Sequence, residues 1–233
     1  TSEEDCGGHG TSVAGIIGSV GWNNKGGRGV APNASLIGYN YIGSTGTTLG
    51  QVWGTNPPVS ADVDIYNNSF GIGYATGATT FMVQEFLSGT NLAVLENGVN
   101  NLRNGKGAIY IYSAGNSFST NSTADCGTDL ACAETIIDNT KNQPYTIPVA
   151  ALNADGTKTS YSTPGASVWI SGFGGESGYD SSIFPGATGV LDDTAIMTID
   201  RSSCSLGYSR SGATYIYGKN KFNLALDFTE QAT

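Results

Sequence analysis

The stretch Gly8-His9-Gly10-Thr11-Ser12-Val13-Ala14-Gly15 decides how this chain is read. His9 is its single histidine, and the glycines on both sides allow close backbone approach where a loop turns into a helix. The small and β-branched residues that follow predict a tightly packed, buried helix over Gly10 to Gly18. A lone His is most often structural. Imidazole is also the side chain that exchanges a proton near neutral pH, so His9 is a candidate general base.

Around that helix, the 233 residues are long enough to bury a substantial core. Charged residues make up 12%, hydrophobic residues 39%, and 34 glycines enrich the loops, which describes a loop-rich globular chain rather than a disordered one. A net charge of -9 argues against nucleic acid and anionic membrane as partners. The longest membrane-span candidate, Val13 to Trp22, is too short and is broken by glycines. Thr1 is not a start Met and no leader precedes it, so processing or a longer gene is expected. Cys6, Cys126, Cys132 and Cys204 contain no CxxC pair, and with one His a structural zinc site is not expected. Cys126 and Cys132 are compatible with a local disulfide in an oxidising compartment or with two free thiols.

Apolar runs bounded by turn signals alternate with helix-compatible stretches, the pattern of βαβ units in an α/β fold with a mainly parallel sheet. Strands are predicted at Ser35 to Tyr41, Asp64 to Ser69, Ala108 to Ser113, Ile147 to Ala151 and Val168 to Ser171. A crossover helix is predicted over Thr80 to Leu102, interrupted near Gly89 and ended by Asn104-Gly105.

The His9 stretch resembles the histidine motif of subtilisin-like serine proteases, the subtilase family, and the resemblance continues in order over about 150 residues. Gly29-Val30-Ala31-Pro32-Asn33-Ala34 looks like that family's next turn, Asn68-Ser69-Phe70-Gly71 like its substrate-backbone strand, and Ser113-Ala114-Gly115-Asn116 like the strand end that presents the oxyanion-hole Asn. Tyr161-Ser162 with Gly165-Ala166 resembles a later turn of the same fold. The resemblance implies a three-layer α/β fold and a secreted or cell-surface serine endopeptidase of a kexin-like or autotransporter-like branch. Its substrate would be a polypeptide, and a propeptide would be encoded elsewhere in the gene. It also implies that His9 is the general base and that the Asn116 amide donates to the oxyanion. Ser69, Phe70 and Gly71, with Ser113, Ala114 and Gly115, would bind the extended substrate backbone.

In this family the order is Asp, His, Ser, which puts the Asp strand before Thr1 and the nucleophile after Thr233. Residues 1–233 are then expected to be the central part of one catalytic domain, inactive alone. Asp5 is too close to His9 to serve as the triad Asp. Gly10-Thr11-Ser12-Val13-Ala14 matches the nucleophile string but lies inside the histidine motif and lacks the following Pro, so Ser12 is read as a decoy. Asp125 and Asp138 fall where the kexin-like branch places pocket acids, which implies a preference for basic residues at the cleavage site. Asn23-Asn24 before Gly26-Gly27 resembles the family's Ca²⁺ loop, with Asn24 as a ligand; an ordinary Asn/Gly turn is the alternative. Two other functions stand beside this one. They are an inactive subtilase-like module that keeps the peptide groove, and a thiol enzyme using Cys6 and His9.

Overall fold

The computed structural model describes residues 8–24, 27–42, 45–54, 62–71, 84, 86–118, 134–176, 196–199 and 228–231. Its contacts fall into two compact units. The first holds Thr1–Tyr39, Asn153–Thr157 and Phe173–Thr233; the second holds Asn40–Leu152 and Lys158–Gly172.

In the first unit, α1 spans His9–Gly18. The turn after it closes its C-terminal end. Val30 and Ala31 donate their backbone N–H groups to the carbonyls of Ile16 and Ile17 at 3.0 and 2.7 Å, and Gly29 donates to Ser19 at 2.9 Å. Carbonyls that a helix end leaves orphaned are thereby satisfied. A side chain at Gly29 would collide with the helix end, since its first carbon would lie 2.5 Å from the Ser19 nitrogen. One flank of α1 packs on β5, Ile196–Ile199, which runs antiparallel to β6, Phe228–Gln231. Gly15 is buried there against Thr198 and Ile199, and only the lack of a side chain permits that approach.

The second unit is built on a four-stranded sheet in spatial order β1, β2, β3, β4, formed by Ile65–Asn68, Ile109–Ser113, Thr146–Leu152 and Ile170–Phe173. The first three strands are parallel: Asn68 pairs with Tyr112, and Ser113 with Val149. These four strands lie within two residues of their expected positions. The run Ser35 to Tyr41 does not form a strand. It has no ladder partner among the described residues, and Leu36 and Ile37 are about half exposed, so its apolar character earned no pairing.

Residues 80–83 and 85 of the expected crossover helix lie outside the described residues; the helix α3 spans Gly89–Gly105 and starts where the sequence marks an interruption. Ser88 decides this, because its hydroxyl accepts from the Asn91 N–H at 3.3 Å and caps the first turn. Regular helix ends before Leu102, where the backbone turns extended, and Arg103 and Asn104 then adopt left-handed φ of 56° and 58°. Leu95, Gly98 and Leu102, three and four residues apart, form the buried stripe of α3. Gly98 sits against the Tyr110 ring so closely that a side chain there would overlap the hydroxyl.

Alternation along β1 and β2 sends Tyr66, Asn68, Tyr110 and Tyr112 to the covered face and Ile65 and Ile109 to the exposed one. Trp53, which follows the short helix α2 at Leu49–Val52, completes the covered core. It meets Tyr110 and Tyr112 edge to face, each at 6.3 Å between ring centres. Its indole N–H donates to Asn68 Oδ1 at 3.1 Å, and its carbonyl accepts the Tyr110 hydroxyl at 2.6 Å. The polar tips of Trp53 and Tyr110 are thereby satisfied, whereas the buried Tyr112 hydroxyl finds no hydrogen-bond partner among the described residues. No helix among the described residues is long and apolar enough to cross a membrane.

Candidate active site

His9 opens α1 and is exposed, whereas Ser12, one turn on, is fully buried. Desolvation by the atoms around it lowers the His9 imidazole below its ordinary 6.5. Its solvent access keeps that burial partial, and the ring is mostly neutral at pH 7. Ser12 donates its hydroxyl to the Ile199 carbonyl at 3.1 Å and accepts from the Thr198 hydroxyl through its own carbonyl. A buried hydroxyl bound to backbone is not an attacking group, so Ser12 is structural, as its place in the histidine motif implied.

The candidates for substrate backbone and oxyanion binding lie in the second unit, at the carboxyl ends of neighbouring parallel strands. Because Asn68 pairs with Tyr112, Ser69-Phe70-Gly71 and Ser113-Ala114-Gly115 leave the sheet side by side. In α/β sheets that end is where ligands are bound. Asn68 ties the two strands together, its amide donating to the Ile111 carbonyl at 3.1 Å. The Phe70 ring is wedged between Tyr41 at 5.4 Å and Tyr112 at 5.9 Å, which fixes that strand end. Ser69 accepts from the Asn67 amide at 2.9 Å.

Asn116 is exposed, on a turn that Gly115 makes possible through a φ of 107°. Thr163, a residue the sequence did not single out, holds that turn from both sides. Its N–H donates to the Gly115 carbonyl at 2.9 Å, and its hydroxyl oxygen accepts the Ser117 N–H at 2.9 Å. A signal was present, since Thr163 sits inside the Tyr161 to Ala166 turn already matched to the family.

Asp138 is not an open pocket acid. Its carboxylate is buried, paired with Lys141 Nζ at 2.9 Å, and accepts from the Thr140 N–H at 2.9 Å and the Thr140 hydroxyl at 2.6 Å. Burial pushes the Asp138 carboxyl upward, but the Lys141 charge and the Thr140 hydrogen bonds outweigh it and hold it below its ordinary range. Lys141 was also missed. Its position three residues after the acid, on a turn rather than a regular helix, was the available signal. Asp125 and all four cysteines lie outside the described residues.

Asn24 is exposed on a loop where both it and Trp22 have a left-handed φ of 62°. Among the described residues no group of three His, Cys, Asp or Glu side chains gathers. Ca²⁺ takes about six to eight oxygens, so Asn24 by itself does not make a Ca²⁺ site.

Comparison with known proteins gives the family and the fold. The Aeromonas extracellular serine protease of Aeromonas sobria is 29% identical over 94% of this chain and 34% of its own length. A calcium-dependent protease of Nostoc is 27% identical over 88% of this chain and 27% of its own. The crystal structure of the Aeromonas sobria serine protease with its chaperone superimposes with a TM-score of 0.75 and 25% identity, covering all of this chain and 38% of that one. The chain thus spans about a third of the length of these relatives. The parallel sheet with its crossover helix is accordingly a three-layer, subtilisin-like α/β fold. The His9 helix, the paired strand ends and the Asn116 turn follow one another in a sequence whose residues 1–215 match the Subtilase family, and this protein belongs to that family.

Proposed function

We propose that this chain is the central part of the catalytic domain of a serine endopeptidase that acts outside the cell on polypeptide substrates. The observation that carries the proposal is the parallel register that brings Ser69-Phe70-Gly71 and Ser113-Ala114-Gly115 side by side, with Asn116 exposed just beyond. Two adjacent strand ends suit an extended peptide, which adds as a further strand.

In this mechanism His9 removes the proton of a serine hydroxyl as that oxygen bonds to the peptide carbonyl carbon, then returns the proton to the leaving amine. A neutral imidazole is the form that can act as this base, and desolvation favours it. The Asn116 amide donates to the oxygen that becomes negative when the carbonyl carbon turns tetrahedral. The nucleophilic serine and the Asp that orients His9 are supplied from sequence outside residues 1–233. Extracellular action is supported by the Aeromonas sobria relative, an extracellular serine protease, and its complex with a chaperone supports a folding partner for the full protein. A structural Ca²⁺ is supported by the Nostoc relative, with Asn24 offering one of its oxygens.

A preference for basic residues at the cleavage site would need a free carboxylate. Asp138 does not offer one, which leaves that preference to Asp125 alone.

The test is the full-length protein. It is expected to hydrolyse casein and to be labelled by a fluorophosphonate, and His9→Ala should abolish both. Peptide binding without labelling would instead identify a peptide-binding module.

A further inference from the structure

Lys141 and Asp138 are 4% and 1% exposed, and they meet beneath the two strand ends. A methyl group built on Gly71 would lie 2.6 Å from Lys141 Nζ and 2.8 Å from Asp138 Oδ2. One built on Gly115 would lie 3.3 Å from the same Nζ. The ammonium therefore fills the space between the backbones of Gly71 and Gly115, and the carboxylate faces that same space. Among the described residues, Asp138 is the acceptor seen for the Lys141 ammonium.

A lysine or arginine side chain of a substrate that entered between these strands would find its counter-charge already held by a cation of the protein. To reach Asp138 it would have to displace Lys141, and to stop short of it would place two buried cations together. A substrate carboxylate fares no better, because it would share one ammonium with Asp138 and crowd two anions. An uncharged side chain leaves the pair intact.

We propose that Lys141 is a specificity-determining residue. By neutralising Asp138 between Gly71 and Gly115, it closes the space between the strand ends to Lys and Arg and sets it for an uncharged residue at the cleaved bond. The proposal rests on the reading of Ser69 to Gly71 and Ser113 to Gly115 as peptide-binding strands.

The experiment uses the full-length protein and peptides that differ only at the residue whose carbonyl is attacked: Leu, Gln, Glu, Lys or Arg. Wild type is expected to show kcat/KM about tenfold or more higher for Leu and Gln than for Lys and Arg. Lys141→Met, which keeps the chain length without the charge, is expected to raise Lys and Arg cleavage by about tenfold or more. A wild type that prefers Lys or Arg overturns the proposal, as does a variant with unchanged ranking. If Lys141→Met leaves Asp138 uncompensated and does not fold, the wild-type ranking decides alone. Benzamidine, an amidinium probe, supplies a readout that needs no catalysis. It should bind the variant about tenfold more tightly than wild type in calorimetry. Equal binding overturns the Lys141 assignment. Absence of fluorophosphonate labelling would instead remove the endopeptidase reading, and the benzamidine comparison would still decide the Lys141 assignment.

Discussion

His9 and Asp138 are both titratable groups at the ends of loops, and the chain surrounds them in opposite ways. His9 opens a helix whose N-cap is a glycine with no side chain to offer, and its ring stays exposed. Asp138 is 1% exposed and holds its carboxylate among the Lys141 ammonium, the Thr140 N–H and the Thr140 hydroxyl. A group that must take and return a proton needs access and an unsaturated neighbourhood. A group that fixes the charge of a pocket needs the reverse, with partners that hold one protonation state. The difference is the one expected between a side chain that reacts and one that holds its neighbours, although a carboxylate and an imidazole look equally promising in a sequence.

The comparison breaks most sharply at His9. In the full-length protein, His9→Ala is expected to lower kcat/KM by about 10⁴-fold or more while leaving the melting temperature within a degree or two of wild type, since the residue is exposed at a helix start. A parallel loss of stability would make His9 structural. Asp138→Ala should do the opposite, costing about 3 to 5 kcal/mol of folding stability in urea unfolding, because the Lys141 charge stays buried without its partner. A change below about 1 kcal/mol would mean that water reaches the pair. Asn116→Ala stands between them. It should reduce kcat by about 10² to 10³-fold with little change in KM, as expected of a donor used in the transition state.

Acid titration separates the two groups by smaller effects. The Asp138 carboxyl is lower in the folded chain than in the unfolded one, so its contribution is complete above about pH 4, where an unfolded Asp is ionised, and is lost as pH falls through the folded value. Acid unfolding of Asp138→Asn should therefore be shallower than that of wild type below about pH 4. His9 should act in the rate instead. Desolvation lowers the imidazole here, and the Asp that orients it in the full-length protein opposes that lowering, so the acid limb of kcat/KM should move downward when that Asp is replaced by Ala. An unmoved limb would mean that no carboxylate faces His9.

Much of this arrangement was legible in the sequence, and the exceptions share one cause. The four strands of the sheet, the helix after His9 and the order of the family motifs could be read because each depends on local period, turn residues and spacing. The run Ser35 to Tyr41 reads as a strand just as well as its neighbours do, but a strand needs a partner, and pairing is not a local property. The break near Gly89 was legible from the glycine, while the hydroxyl of Ser88 that caps the first turn of α3 shows only in the structure. Ser12 could be dismissed from its place in the motif, yet what it does instead, binding the Ile199 carbonyl from 187 residues away, came from the packing of α1 on β5.

The sequence by itself determined the family and offered His9 and Asn116 as its candidates, because a family motif is a set of residue types in a fixed order along one chain. Tertiary structure alone decided what Asp138 is. Its charge is set by a lysine three residues on and by two glycine backbones that converge on that lysine from separate strands, Gly71 after β1 and Gly115 after β2. The protonation and accessibility of a buried group depend on everything within a few ångströms of it, and three-dimensional proximity of that kind leaves no periodic mark in the order of residues.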